Sequence, residues 1–464
     1  MIFIFVWSNA RSFPGAHSRP DFVSRERPRS SPHIWPQLAL DCPKEIFTWA
    51  VTCTNGSRAG TGPSESPAED RGSRVAPPSN IVYMARPPQV GDLLADRIAV
   101  GVLTSGFPPE LVDRVVDRFG VRERRTRALP ARLMVYYVLS MVVFFHLGYS
   151  EVWDRLVAGL SWAHPFAAVP PRGTQPTPAA ITYARKRLGW RVMAVLLEEV
   201  SGRDVQGEPG RPRVGGMRPV ALDQVPLNVP NTPGNVSVFG PPLGGRGAGP
   251  LPQVRVVALA ECGTSAILGA GVSGTASDGA PLVRRLLRKL APGDLLLPGG
   301  AGFPYDLLEE VIAAGAHVLC RAGPEEELPR LGTLPDGTYL SRIAVPDGGG
   351  GSVAGLVVRV IPGTAEGGPG AQDAGRPLVT DVLDPGTLPA GEGAAAYRSR
   401  WRLEDCFSTL DLLPPEGAAV TLRSRDPDLI HQEALAILCC YQAVRLLVDD
   451  RSAGRSRSPL IPLI

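Results

Sequence analysis

Cysteine is scarce in this 464-residue chain, and its seven copies are scattered without a CxxC pair, so neither a zinc site nor a disulfide framework is expected. Lysine is scarcer still. Only Lys44, Lys186 and Lys289 stand among 48 basic residues, a bias that fits GC-rich coding DNA and indicates no chemistry. Charge of one sign is not in excess either. With a net charge of +3 the chain neither demands nor excludes nucleic acid, and any such argument must rest on local clusters. No apolar run reaches the roughly 20 residues that cross a bilayer. The run from Leu133 to Phe145 reads instead as a buried core helix, so no membrane is expected. Met1 to Trp7 is apolar but has no positively charged stretch before it and is too brief for a secretory signal. No export is expected, and a reducing cytoplasm suits the cysteine usage.

What the chain does have is length enough for two or three domains, with 44% apolar residues. Its 52 glycines and 48 prolines predict long irregular connections. Residues 1–90 carry no sustained periodicity and read as a disordered or spurious extension, with Met84, where patterning begins, as a candidate start. Residues 91–200 are helical in pattern, in five pieces: Asp92 to Thr104, Pro108 to Phe119, Pro130 to Phe145, Ser150 to Leu160 and Pro178 to Val200. Arg122, Arg124, Arg125, Arg127 and Arg132 cluster before the most apolar of them; a solvated charge run and a phosphate-contacting patch both remain open. Arg185, Lys186 and Arg187 lie on a helix after a Pro/Thr turn, which is either a recognition helix or a basic surface helix. They are the preferred DNA-phosphate contacts. His146 ends an apolar helix with no second ligand at metal spacing, so a boundary histidine is expected there.

A polar linker, 201–216, separates this region from strand-like patterns over 217–323, in which Asp223 ends a short apolar run. Short strand-like runs joined by a glycine tract occupy 324–375. Residues 376–450 return a buried strand, a helix and a closing helix with Leu435, Leu438, Cys439 and Leu446 inward, and 451–464 is a tail. Within that last part the sequence from Ala394 to Pro415 predicts one amphipathic helix ended by Pro414 and Pro415. Leu403, Cys406, Phe407 and Leu410 share its apolar arc, and Tyr397, Arg400, Glu404 and Asp411 share one polar edge.

YRSRWRLEDCFSTL resembles the Tyr-Arg-Glu-Lys motif of insertion element 4 family transposases, with Tyr397, Arg400 and Glu404 matching and Asp411 standing where the Lys belongs. ALDQVPLNVPNTPGNVSVFG resembles the family's first-Asp segment at Asp223, Leu227, Val229, Pro230, Thr232, Pro233, Asn235, Phe239 and Gly240, with Gln224 in place of a Gly. LPARLMVYYVLSMVVFFHLGYSEVWDRLVAGL resembles the family's N-terminal helical domain, and 324–375 its β-rich insertion. The resemblance implies an α/β chain with a ribonuclease-H-like catalytic core, a β-rich insertion and an all-helical domain before them. It implies a DDE site in which Asp223 and Glu404 are catalytic and hold Mg²⁺ or Mn²⁺. There one metal would activate water or a DNA 3′-hydroxyl and the other would stabilise the leaving oxygen. Tyr397 and Arg400 would contact DNA phosphate. The partners implied are double-stranded DNA, both terminal inverted repeats and target, and a second copy of the chain on that DNA.

The family's second Asp is missing. Where relatives read Leu-Leu-Leu-Ala-Asp-Arg-Gly-Phe, this chain runs Leu295, Leu296, Leu297, Pro298, Gly299, Gly300, Ala301, Gly302, Phe303. Asp294 lies before the apolar run, about 15 Å from the loop at 3.3 Å per residue, and Asp306 falls in the next helix. The expectation is therefore a transposase impaired in metal-dependent phosphodiester transfer. The alternative is a non-catalytic DNA-binding remnant acting as a repressor or dominant-negative subunit.

Overall fold

The computed structural model describes residues 90–452, except 126, 161–174, 202–211, 243–250, 275–278, 325, 344–354, 364–374 and 414–419. The N-terminal extension, most of the linker, the glycine tract, Pro414 and Pro415 therefore lie outside the described residues.

Six helices come first: α1 (Val90–Gly106), α2 (Pro109–Arg118), α3 (Ala131–Val143), α4 (Tyr149–Leu160), α5 (Pro178–Leu188) and α6 (Arg191–Ser201). Proline opens α2 and α5, where its missing N–H costs no hydrogen bond. Thr177 caps α5 by accepting from the Ala180 amide at 3.2 Å. The sequence predicts one helix over 178–200, but two are present. Gly189 takes φ +76° and ends α5, a conformation that glycine adopts without a Cβ penalty. α3 is buried on nearly every side, which explains its lack of a polar stripe.

The strands then follow with the remaining helices between them: β1 (Arg218–Asn228), α7 (Pro233–Phe239), β2 (Gln253–Glu261), β3 (Ala266–Gly274), α8 (Ala280–Leu287), β4 (Asp294–Pro298), α9 (Tyr305–Ala313) and β5 (His317–Arg321). After them come β6 (Gly332–Thr333), β7 (Tyr339–Ile343), β8 (Leu356–Ile361), β9 (Leu378–Thr380), α10 (Ala390–Arg398), α11 (Glu404–Thr409) and α12 (Pro427–Ser452). All nine strands join one sheet in the order β3-β2-β1-β4-β5-β9-β8-β7-β6. Among neighbouring strands of the sheet, β1 with β4 and β4 with β5 pair in parallel, and β4 is buried throughout, as a central parallel strand with covered faces should be.

Two expectations need correction here. Asp223 does not end its strand, because β1 continues to Asn228; it lies just past the stretch that pairs with β4, whose last pair is Leu222 with Pro298. The predicted helix from Ala394 is broken, since α10 stops at Arg398 and α11 starts at Glu404. Leu403, Cys406, Phe407 and Leu410 are nonetheless all buried. The break lets both short helices press apolar residues inward, which one straight rod could not do, and it undoes the shared polar edge.

One apolar core runs from the first six helices through α12 to β1, β2 and β3, and two smaller clusters fill the other contacts of the sheet.

A candidate active site at the ends of two parallel strands

The carboxyl end of β4 meets the middle of β1, and open α/β sheets bind ligands at such strand ends. The Gly299 amide donates to the Leu222 carbonyl at 2.7 Å, so the loop after β4 starts directly beside Asp223. Asp223 is partly buried, and its Oδ2 accepts from the Leu403 amide at 2.9 Å. Burial pushes its carboxyl above the usual range, and the nearby Glu404 charge adds to this. The Leu403 and Gln224 amides and Arg400 pull the other way without winning. Glu404 itself is exposed at the first position of α11. These two carboxylates are therefore neighbours.

Tyr397 ends up buried instead of facing an open groove, at 1% exposure. Its hydroxyl lies 2.9 Å from the Pro298 carbonyl and 3.1 Å from that of Gly300, so it ties α10 to the loop. The Arg400 guanidinium sits over the Tyr397 ring, 4.5 Å from its centroid, and donates to the Tyr397 carbonyl at 3.1 Å. Arg321, at the end of β5, lies over the same ring at 5.4 Å. Two cations thus share one aromatic ring beside Asp223. Arg321 was missed in the sequence, where a lone arginine closing a short strand carries no spacing signal. Asp411 lies past the end of α11 with φ +54°, exposed.

The loop has no carboxylate of its own. A Cβ built on Gly299 would run into Asp223 Oδ1 and lie 3.1 Å from its Cγ, so a side chain there has room only if Asp223 moves. Asp294 is engaged elsewhere, accepting from Arg218 at 2.6 and 2.8 Å. Asp306, on α9, pairs with Arg284. Among the described residues no group of three His, Cys, Asp or Glu side chains converges. Two carboxylates, one of them held by a backbone amide, do not fit a two-metal centre, which needs several converging oxygen ligands.

The predicted DNA contacts on α5 are placed differently from one another. Arg185 is fully buried, which corrects its assignment as a phosphate contact. It donates to Gln432 at 2.9 Å, the Tyr149 hydroxyl at 2.8 Å and Ser424 Oγ at 3.0 Å. A buried guanidinium must be saturated in this way, because each unmet donor costs free energy. Lys186 is exposed and pairs with Asp426 at 2.7 Å. Arg187 donates to the Leu129 carbonyl at 2.6 Å and approaches Glu123 at 3.6 Å. The spacing identified three adjacent cations but could not tell that one of them faces inward.

The fold and site define a mixed α/β protein with one large sheet and two acidic residues, Asp223 in the middle of β1 and Glu404 at the start of α11, beside the carboxyl end of β4. Residues 97–198 match the model of the insertion element 4 transposase N-terminal region. The chain is 26% identical over 347 residues to "Transposase InsG for insertion sequence element IS4" of Escherichia coli (strain K12), covering 73% of this chain and 74% of that protein. Both sequence likenesses are to insertion element 4 family transposases. Two solved structures are also similar. A piggyBac transposase synaptic complex with hairpin DNA matches at TM-score 0.40 and 11% identity, over 77% of this chain and 76% of that one. Endonuclease V from Streptomyces avermitilis matches at TM-score 0.19 and 14% identity, over 56% of this chain and 96% of that one. No helix among the described residues is long and apolar enough to cross a membrane.

Proposed function

We propose that this chain binds DNA at the ends of an insertion element and has lost efficient strand cleavage. The observation that carries the reading is Gly299: the backbone that should present a third carboxylate lies against Asp223 and has no side chain. On this reading 91–200 is the DNA-binding helical domain, while 217–323 and 376–450 are the two parts of a ribonuclease-H-like core interrupted by the insertion at 324–375. Asp223 and Glu404 are what remains of the acidic site, and Tyr397 and Arg400 of its phosphate-binding side. Mg²⁺ gives up its water reluctantly, so two carboxylates hold it weakly. The same observation favours use as a repressor, or as a subunit that poisons mixed transposase assemblies, because DNA binding needs none of the missing chemistry.

A Mg²⁺-dependent nicking assay on terminal-repeat DNA tests the loss. The unmodified chain should be inactive. Deleting one residue of Pro298 to Ala301 while installing Asp in the loop, together with Asp411→Lys, should restore measurable nicking. Adding Glu404→Gln should abolish it again. Strong cleavage by the unmodified chain, lost on Asp306→Asn, would sink the reading by showing that Asp306 had replaced the loop Asp.

A further inference from the structure

The two basic clusters are separate in sequence, yet the fold joins them. Arg187 on α5 donates to Leu129, 58 residues away, at the end of the connection between α2 and α3. Glu123 in that connection accepts from the Ala131 amide at 2.7 Å and lies 3.6 Å from Arg187, so the loop is fastened both to the start of α3 and to α5. Its acidic neighbours are consumed locally. Asp113 is bound by Arg132 and Arg122, and Asp117 by Arg122. Burial pushes the Asp113 carboxyl up, but Arg132 and Arg122 together outweigh it and hold it below the usual range.

What is left over is mostly positive, with the exposed Glu110 near Arg132 as a carboxylate set against it. Arg118, Arg124, Arg125 and Arg127 are exposed, and among the described residues none has an ion-pair partner. On α5, which Arg187 fastens to this connection, Lys186 makes an exposed pair with Asp426 that is open to exchange, and Tyr183 is 73% exposed. An unneutralised set of arginines costs the folded chain self-repulsion and contributes nothing to its packing. A row of phosphates would relieve that repulsion, with counterion release as the driving force.

We infer that Arg118, Arg124, Arg125 and Arg127, together with Tyr183 and Lys186 of α5, form one continuous surface that takes the phosphate backbone of duplex DNA. This rests on the DNA-binding reading above and moves the contact off Arg185. Arginine suits it, since each planar fork can bond two phosphate oxygens at once.

The test is the salt dependence of binding, followed by fluorescence anisotropy with a mixed-sequence DNA duplex of about 30 base pairs and the full chain. The triple variant Arg124→Gln, Arg125→Gln, Arg127→Gln should lower the log-log salt slope by about two to three and weaken binding at least about tenfold near 0.1 M salt. Should the triple variant unfold early, single Arg124→Gln and Arg127→Gln variants decide, each lowering the slope by about one. A slope unchanged in variants that remain folded overturns the surface and leaves the DNA-binding reading standing. No salt-dependent binding by the unmodified chain overturns both. A parallel titration with phosphatidylserine vesicles should show no dependence on these arginines; loss of vesicle binding alone would make the surface a membrane contact and overturn the inference.

Discussion

Asp223 has two jobs that pull against each other, and substituting it separates them. In this structure its Oδ2 accepts from the Leu403 amide at 2.9 Å, immediately before α11, so it caps that helix from a distant strand. A cap of this kind is worth about 1 kcal/mol, and an amide left without its acceptor costs about 1–3 kcal/mol where it is buried. Against that stands the penalty of keeping the carboxylate charged while partly out of water, which raises its pKa. A carboxyl whose folded pKa exceeds its unfolded value binds protons more tightly in the fold. Stability therefore falls as pH rises from near 3.8 through the raised value, and the cost persists at neutral pH. Asp223→Asn keeps an acceptor for Leu403 and removes the charge, so its thermal midpoint at pH 7 should equal or exceed that of the unmodified chain. Asp223→Ala removes both and should lose about 1–2 kcal/mol, a drop of roughly 2 °C for a chain of this size. Differential scanning fluorimetry at pH 7 and pH 4 reads both effects, and the advantage of Asn should shrink at the lower pH. If Asn loses as much as Ala, the negative charge itself is needed and a bound cation is the simplest reason. A midpoint raised by several degrees on adding about 10 mM Mg²⁺ would confirm that cation and refute the reasoning.

Two further substitutions test neighbouring claims. Arg185→Met strands the acceptors on Gln432, Tyr149 and Ser424 and should cost about 3 kcal/mol, whereas Lys186→Ala removes only an exposed ion pair and should stay within about 0.5 kcal/mol. Urea midpoints in the reverse order would show that the burial of Arg185 is misassigned. Asp411 holds a left-handed φ of +54°, so Asp411→Gly should gain about 0.5–1 kcal/mol and Asp411→Lys should lose a little. A loss on Gly substitution would mean that the Asp411 side chain makes a contact that outweighs the relief of backbone strain.

Much of the fold was legible because periodicity survives burial on one face. The helices of 91–200, the strand of Asp223 and the closing helix all follow from apolar spacing. The break between Arg398 and Glu404 was hidden, because Leu403, Cys406, Phe407 and Leu410 have helical spacing whether or not the segment before them bends. Asp223 and Glu404 were legible through the motif and are neighbours. Tyr397 was legible as a motif residue, but its inward hydroxyl depends on the Pro298 and Gly300 carbonyls, about a hundred residues earlier. Arg185 misled for a similar reason: its partners on α12 and before it are more than 230 residues away, and no local pattern announces them.

α12 has a consequence for how the chain comes to be folded. Its Gln432 binds Arg185, its Cys440 thiol meets the Leu139 carbonyl at 3.4 Å, its Gln442 accepts from Ile267 in β3, and its Ala443 packs so near Gly106 that a Cβ there would come within 2.6 Å. The last long helix to be synthesised is therefore the wedge on which the first six close. During translation those helices leave the ribosome with the apolar seat for α12 uncovered, and they wait for the whole stretch from Ser201 to Pro427 before it arrives. A copy terminated before α12 would therefore release helices with that apolar seat exposed, in place of a free-standing helical domain.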